Sequence, residues 1–492
     1  MFSVYAVIVF SYFLFVMGIS LFTKKLASRS SADFLIAGRN LGIVTCAVVV
    51  ASEWLGGMST IGVSEKAFTT GTLQPILYNF ATSLGMIIIG FTVATHYRRK
   101  EVHTVSEMIE HLFDRRCRHI SAVAFLIAYI TLAYIQLQTC SSVISTLFGM
   151  SWIWGIFLSA IIITTYTYIG GLHALAITSV FHVIVMFGGI GIAVCTGLIK
   201  VGGLAALKGH LVVLGSPVNL YNPFSAGLSY AFSLLLGGIL GGMAGQASIQ
   251  PIFAAKNPSV AKRAAIASAL IIAPFGVMIA LLGLIAKTGI FFDVTTLTDV
   301  KMVLPRLLTT PSFIHPIFGG LALAGILAAI LSTVGPVNFA VVTIVAKDIY
   351  AGLMHEGADD QQILRTSRNL VILINFIIIP LALIFHKKAI IDAAYVSYAI
   401  RAIGAIVIVL GIYGSRFING LGVKLAFVGG TLTIFVCLIA GRIGLFTVDK
   451  TFGAVCAAIV FVAVGLLLGK KDHPPVSVAR GTSIPSGVLR GH

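Results

Sequence analysis

Stretches of about twenty consecutive apolar residues, the length of helix that crosses a bilayer, recur along this chain from end to end. Thirteen are read from the sequence, at approximately 3–23, 41–64, 73–96, 119–147, 151–169, 172–199, 225–248, 263–286, 314–345, 369–386, 390–414, 418–440 and 451–469. No soluble fold accommodates so many. Hydrophobic residues make up 58% of the 492 positions and charged residues only 10%, too little polar surface to face water on all sides. Inside a bilayer each backbone polar group has to be satisfied within the protein, so the segments are expected to be helices. The chain therefore reads as an all-α membrane protein with about 13 transmembrane helices, whose partners are the lipid bilayer and a small solute.

The formal charge of +17 raises the possibility of nucleic-acid binding, but the basic residues are scattered among short loops and form no single patch. They report topology instead. Lys24, Lys25, Arg29 and Arg39 follow the first span, Arg98, Arg99, Lys100, Arg115, Arg116 and Arg118 follow the third, and Lys256, Lys262 and Arg263 follow the seventh. All three loops lie on one side, which the bias of lysine and arginine marks as cytoplasmic. The N-terminus is then expected outside and the C-terminus inside, in a plasma membrane of the bacterial inner-membrane kind. Opposite loops still carry Lys200, Lys208, Lys301, Arg306, Lys387 and Lys388. The six cysteines lack metal-ligand spacing and read as buried thiols. The first span has neither a basic flank before it nor a small-residue cleavage site after it, so it is read as retained. Residues 470–492, rich in Gly, Pro and Ser, read as a disordered cytoplasmic tail.

Transporters create a polar cavity at mid-membrane by interrupting helices. The second span, VVVASEWLGGMSTIG, has Glu53 and the pair Gly56 and Gly57 near its centre, and the seventh, LLLGGILGGMAGQASIQP, carries Gly237, Gly238, Gly241, Gly242 and Gly245. Glycine also serves simply to let helices pack closely. The matched positions, five spans apart, point to two inverted repeats, spans 2–6 and 7–11, each opening with a broken helix. The ninth span contains Ser332 and Thr333, whose hydroxyls suit a hard cation, and Pro336, which frees a carbonyl. Such hydroxyls ordinarily bond their own backbone or a neighbouring helix. Glu53 and Arg401 are ionisable residues deep within spans, and two readings of them stay open: a fixed pair joining two helices, or groups facing a solute cavity. His182 and Asn375 read as satisfied core polar groups.

These segments resemble the sodium:solute symporter family. The resemblance rests on SADFLIAGRNLG (Ser31 to Gly42), GGLHALAITSVFH (Gly170 to His182), KNPSVAKRA (Lys256 to Ala264), and AAILST (Ala328 to Thr333) followed by KDIY (Lys347 to Tyr350). It runs from about Val4 to Ile412, with similarity to the proline, pantothenate and choline transporters; DVKMVLPRLL before the ninth span is closest to the last. It implies a leucine-transporter-like fold with a 5+5 inverted-repeat core at 41–414, preceded by one helix and a loop within 1–40 and followed by two helices within 415–469. It also implies a sodium site made by the carbonyls of Ala51, Trp54 and Ala329 and the hydroxyls of Ser332 and Thr333. Ser179 and His182 replace the Asp and Gln of many members, so one coupling ion is expected. Gly245 and a position near Leu132 replace the tryptophans of the choline transporters, which disfavours a quaternary ammonium.

The function expected is sodium-coupled symport of a small zwitterion or carboxylate, such as an amino acid of the proline type. Proton coupling through Glu53 stays open, as does a channel or sensor built on the same fold. The solute would meet Glu53, Gly56, Gly57, Gly245, Gln246 and Arg401. No His-Glu metal motif, nucleophile elbow or phosphate loop points to an enzyme, and no segment points to an obligate protein partner.

Overall fold

The computed structural model describes residues 4–27, 39–225, 227–355, 357–386, 388–445 and 448–469, with only the backbone of 23–27 and 170–173. The segment Ser31 to Gly38 of the first motif and the tail from 470 onward lie outside the described residues, as do the side chains of Lys24 and Lys25 and all of Arg29.

Among the described residues the regular structure is all helix, apart from one isolated bridge between Leu41 and Ala255. α1 covers Val4–Ala27 and α2 Ile43–Trp54; the chain resumes in a π-helical turn, Met58–Gly62, and runs on as α3, Val63–Thr70. Then come α4 (Ile76–Phe91), α5 (Ala94–Arg99), α6 (Val105–Leu112), α7 (Arg115–Phe148) and the helical run α8 (Trp152–Val201). α9 (Gly203–Val213) lies between spans, and α10 (Leu228–Met243) and α11 (Gln246–Phe253) form the next crossing. α12 (Pro258–Lys287), α13 (Val303–Leu308) and α14 (Pro316–Thr343) follow, the last prolonged by the π-helical segment Ile344–Met354. α15 (Asp360–Ile384), α16 (Ile390–Tyr413), α17 (Gly420–Arg442) and α18 (Lys450–Leu468) complete the order.

Among the described residues, 11 helical stretches are long and apolar enough to cross a membrane, and 12 if the bent pair α2 and Met58–Thr70 is one span. The remaining segment of the thirteen read from the sequence is α4, whose 16 residues reach about 24 Å, short of a hydrocarbon core of about 30 Å. The close spacing of the fifth and sixth spans appears as one helical run of 50 residues. A straight helix of that length would extend about 75 Å, and Tyr166 and Thr178, twelve residues apart, would be separated by about 18 Å along it. Their hydroxyls are hydrogen-bonded at 2.9 Å, so the run doubles back between them. Gly149, at φ 61°, ends α7 in the left-handed conformation that glycine tolerates best. In the third motif, Asn257 caps α12 by accepting from the Val260 N–H at 2.9 Å, with Pro258 in the first turn.

Both expected helix breaks are present. α2 and the Met58–Thr70 stretch meet at a bend of 55°, and α10 is separated from α11 by the non-helical Ala244 and Gly245. α14 runs through the middle of the bundle, buried at nearly every position from Gly319 to Thr343 and packed on α8, α7, α2 and α1. It continues through Pro336 without interruption, and the missing side chain of Gly335 admits Leu175 of α8. α17 and α18 pack on each other and flank α16.

Candidate ion and solute site

The site begins with the lost hydrogen bonds at the end of α2. In a continuing helix the Gly57 N–H would bond the Glu53 carbonyl; here it donates to Oε1 of Gln136 on α7 at 3.1 Å. The carbonyls left without helical partners need others. Glu53 O accepts from Thr333 Oγ1 at 2.7 Å, and Ser52 O accepts from Ser332 Oγ at 2.8 Å and Thr333 Oγ1 at 3.3 Å. The same hydroxyls reach the Ala329 carbonyl at 2.9 and 3.3 Å. Glycine at position 56 makes this approach possible, because a Cβ there would lie 2.1 Å from Thr333 Oγ1. At Gly57 a Cβ would lie 2.3 Å from Thr139 Oγ1, so both glycines serve close helix contact.

Two hydroxyls and three carbonyls therefore converge between α2 and α14. An all-oxygen set of this kind, with no nitrogen or sulfur, suits a hard cation. Ser332, Thr333 and the Ala329 carbonyl, all expected as ion ligands, belong to this cluster. The carbonyls of Ala51 and Trp54 accept from other groups, Ala51 O from the Leu55 N–H at 3.1 Å and Trp54 O from Ser59 Oγ at 2.6 Å. α2 keeps its last regular bond through Leu55, which moves the freed carbonyls to Ser52 and Glu53.

Beside this cluster lies a narrow cavity lined by Glu53, Trp54, Gly56, Tyr78, Gln136, Thr333, Tyr398 and Arg401 among others. Its volume of about 10 Å³ is room for one water, so a solute enters only when the surrounding helices part. Arg401 is fully buried, its guanidinium carbon 4.8 Å from the ring of Tyr398, 5.2 Å from Trp54 and 5.6 Å from Tyr129. Cation–π attraction to three rings holds a charge that would otherwise be costly at this depth. Gly245 gives the group its space, since a Cβ there would lie 1.9 Å from Nη2. Nη2 reaches Ser248 Oγ at 3.4 Å, while Nε has no partner. Glu53 is 4% exposed and its Oε2 also lacks a partner. Among the described residues no ion pair joins Glu53 to Arg401. The two charges share a cavity without neutralising each other by contact.

Of the residues expected to meet solute, Glu53, Gly56 and Arg401 line this cavity, whereas Gly57, Gly245 and Gln246 do not. Gln246 is committed elsewhere, donating to His103 O at 2.8 Å and accepting from the Val105 N–H at 2.7 Å. Ser179 donates to Leu175 O and accepts from Ser52 Oγ at 2.9 Å. His182 lies between Tyr12 OH (2.5 Å) and Tyr166 OH (3.4 Å), and Asn375 donates to Val371 O at 2.7 Å. In the KDIY motif, buried Asp348 accepts from Arg118 Nε at 2.8 Å and Thr104 Oγ1 at 2.9 Å, fastening the end of the ninth span to the starts of α7 and α6. Sequence reading passed over Gln136, Tyr78, Tyr129, Tyr398 and Ser52. Gln136 carried a signal, being a polar side chain inside an apolar span, and Tyr398 lies one helical turn before Arg401.

A bundle with two broken helices, an oxygen cluster beside one break and unpaired charges facing a mid-membrane cavity defines a secondary transporter. The profile of the sodium:solute symporter family matches residues 34–430, and the chain belongs to that family. It is 25% identical over 436 residues to the osmoregulated proline transporter of Bacillus subtilis, covering 83% of this chain and 84% of the relative. It is 24% identical over 393 residues to sodium/proline symporter 2 of Staphylococcus saprophyticus (76% and 75% covered) and 23% identical over 399 residues to the high-affinity choline transporter 1 of Drosophila melanogaster (77% and 62%). In fold it resembles a Na⁺-coupled sialic acid symporter in a substrate-bound outward-open state, with a TM-score of 0.80 at 16% identity over 95% of this chain and 98% of that one. The protein is a multi-pass, sodium-coupled solute symporter and not an enzyme.

Proposed function

We propose that the protein imports a small amino acid or related zwitterion of the proline type, with Na⁺ held between α2 and α14. The observation that carries this reading is the pair of unpaired charges in one cavity: Arg401 Nε and Glu53 Oε2 both lack partners. A zwitterion supplies a carboxylate for the first and an ammonium for the second, satisfying both buried groups at once. The aromatic rings that would cage a quaternary ammonium are occupied by Arg401 itself, which argues against choline. The proline symporters among the relatives favour the same solute class.

Coupling follows from shared backbone. The Glu53 carbonyl faces the ion cluster while its side chain faces the solute cavity, so an ion that draws α2 onto α14 also orders one wall of the solute site. The ion need not touch the solute, because a difference in affinity between states is enough. The inverted-repeat core at 41–414, a cytoplasmic C-terminus and a bacterial inner membrane complete the reading, supported by the two breaks and by the lysine and arginine bias.

Uptake of a labelled solute panel into proteoliposomes, with and without an inward Na⁺ gradient, tests it. Concentrative, Na⁺-dependent uptake of a small amino acid is expected; Glu53→Gln should abolish it and Glu53→Asp retain part. Undiminished coupled uptake by the glutamine variant removes Glu53 from the mechanism. Ser332→Ala and Thr333→Ala should each raise the Na⁺ concentration for half-maximal uptake far more than they change the maximal rate. Wild-type sodium dependence in both would place the ion elsewhere.

A further inference from the structure

The break after α2 fixes what Gln136 can offer a solute. Gln136 lies on α7 one turn beyond Leu132, and both buried side chains line the solute cavity. An amide carries an acceptor oxygen and a donor nitrogen, and the chemistry of a neighbour decides which of the two faces it. A backbone N–H can only donate. The atom of Gln136 that meets the Gly57 N–H at 3.1 Å is therefore Oε1, which also accepts from Thr139 Oγ1 at 3.4 Å. With both contacts made by the oxygen, no group among the described residues accepts from Nε2.

We propose that Gln136 is a specificity-determining residue of the symporter: its oxygen is held by Gly57, and its Nε2 donates to the solute's carboxylate beside Arg401. The site then admits an acid and rejects the corresponding amide. This inference rests on the zwitterion reading above and names a group that recognises one end of the solute. The polar groups of the cavity support it. Arg401 Nε and Trp54 Nε1 are lining donors without partners, and Nε2 of Gln136 adds a third, against the one acceptor Glu53 Oε2. The Tyr78 and Tyr398 hydroxyls, also in the lining, bond each other at 2.9 Å, and Thr333 Oγ1 is turned to the Glu53 carbonyl at 2.7 Å. A carboxylate offers acceptor sites and no donor, whereas an ammonium offers donors alone. A zwitterion therefore matches a cavity rich in donors with a single free carboxylate oxygen. An amide in the carboxylate's place would turn an N–H towards Nε2 and leave buried donors unpaired. The cavity has room for one water, so a carboxylate that enters it meets Arg401 and Gln136 together.

The test uses the full-length protein in proteoliposomes and displaces labelled L-proline, or whichever amino acid the uptake panel returns, with its methyl ester and its N-methylamide. The two analogues match in size and both lack the carboxylate charge, so neither forms an ion pair with Arg401; they differ by an acceptor oxygen against an N–H donor. The wild type is expected to bind the ester about tenfold better or more. Gln136→Glu keeps an acceptor for the Gly57 N–H and exchanges the donor for a second acceptor, so it should reverse that preference and weaken binding of the acid at least about tenfold. Gln136→Leu, which offers neither group, should bring the two analogues level. The wild-type comparison needs no variant, so it decides even where a variant does not fold. An N-methylamide that competes as well as the ester in the wild type, or an ester preference that survives Gln136→Glu, overturns the role of Gln136 and leaves the zwitterion reading standing. A wild type that takes up no carboxylate-bearing solute overturns both.

Discussion

Arg401→Gln is expected to lower the apparent affinity for solute about a hundredfold or more while leaving Na⁺ binding nearly intact. Hydrogen bonds to charged groups are worth about 1.5–3 kcal/mol each, and about 1.4 kcal/mol is a factor of ten, so losing a two-bond fork to a carboxylate reaches that range. Lysine should be a poor replacement. It places a point charge where a planar group lies among the rings of Trp54, Tyr129 and Tyr398 and fills the space left by the missing Cβ of Gly245. The decisive variant is Glu53→Gln with Arg401→Gln. If the two residues merely neutralised each other, removing one would cost about 3–5 kcal/mol and removing both would restore stability and uptake. No ion pair joins them among the described residues, so the double variant is expected to fold and to stay inactive. Wild-type-like uptake by it would end the carboxylate-binding role.

Gly56→Ala should have the next largest effect, on the ion. Its Cβ would meet Thr333 at 2.1, 2.4 and 2.7 Å, distances at which α2 and α14 cannot keep their present contact. Overpacking of this kind costs about 1–3 kcal/mol. The relief available is to push the Thr333 side chain away from the Ser52 and Glu53 carbonyls, which dismantles the oxygen cluster. The Na⁺ concentration for half-maximal uptake is expected to rise more than tenfold, with Gly18→Ala, where no atom lies within 4 Å, behaving as wild type. Unchanged sodium dependence in Gly56→Ala would show that the hydroxyl of Thr333 is not a ligand.

Much of the molecule is legible in the sequence. Apolar length located the membrane helices, because a bilayer accepts little else. Glycine density located both breaks, and the scarcity of charge in such spans singled out Glu53 and Arg401. Gln246 misled because nothing local distinguishes a polar residue facing a cavity from one bonded to a loop, here the stretch from His103 to Val105. Of the carbonyls expected beside Ser332 and Thr333, those of Ala51 and Trp54 are bonded within their own segment, because which carbonyls are freed depends on where the Leu55 N–H finds its acceptor.

The sequence by itself determined the solvent, the helical class, the places where helices are interrupted and the pair Ser332 and Thr333, since each follows from composition, local pattern or a family motif. Only the tertiary structure decided that Gln136 takes the Gly57 N–H, that Ser52 and Glu53 turn their carbonyls to α14, and that Arg401 rests among three rings instead of on Glu53. These are contacts between residues tens to hundreds of positions apart. Hydrogen-bond partners are assigned by which groups packing brings within reach, and that is a property of the assembled bundle.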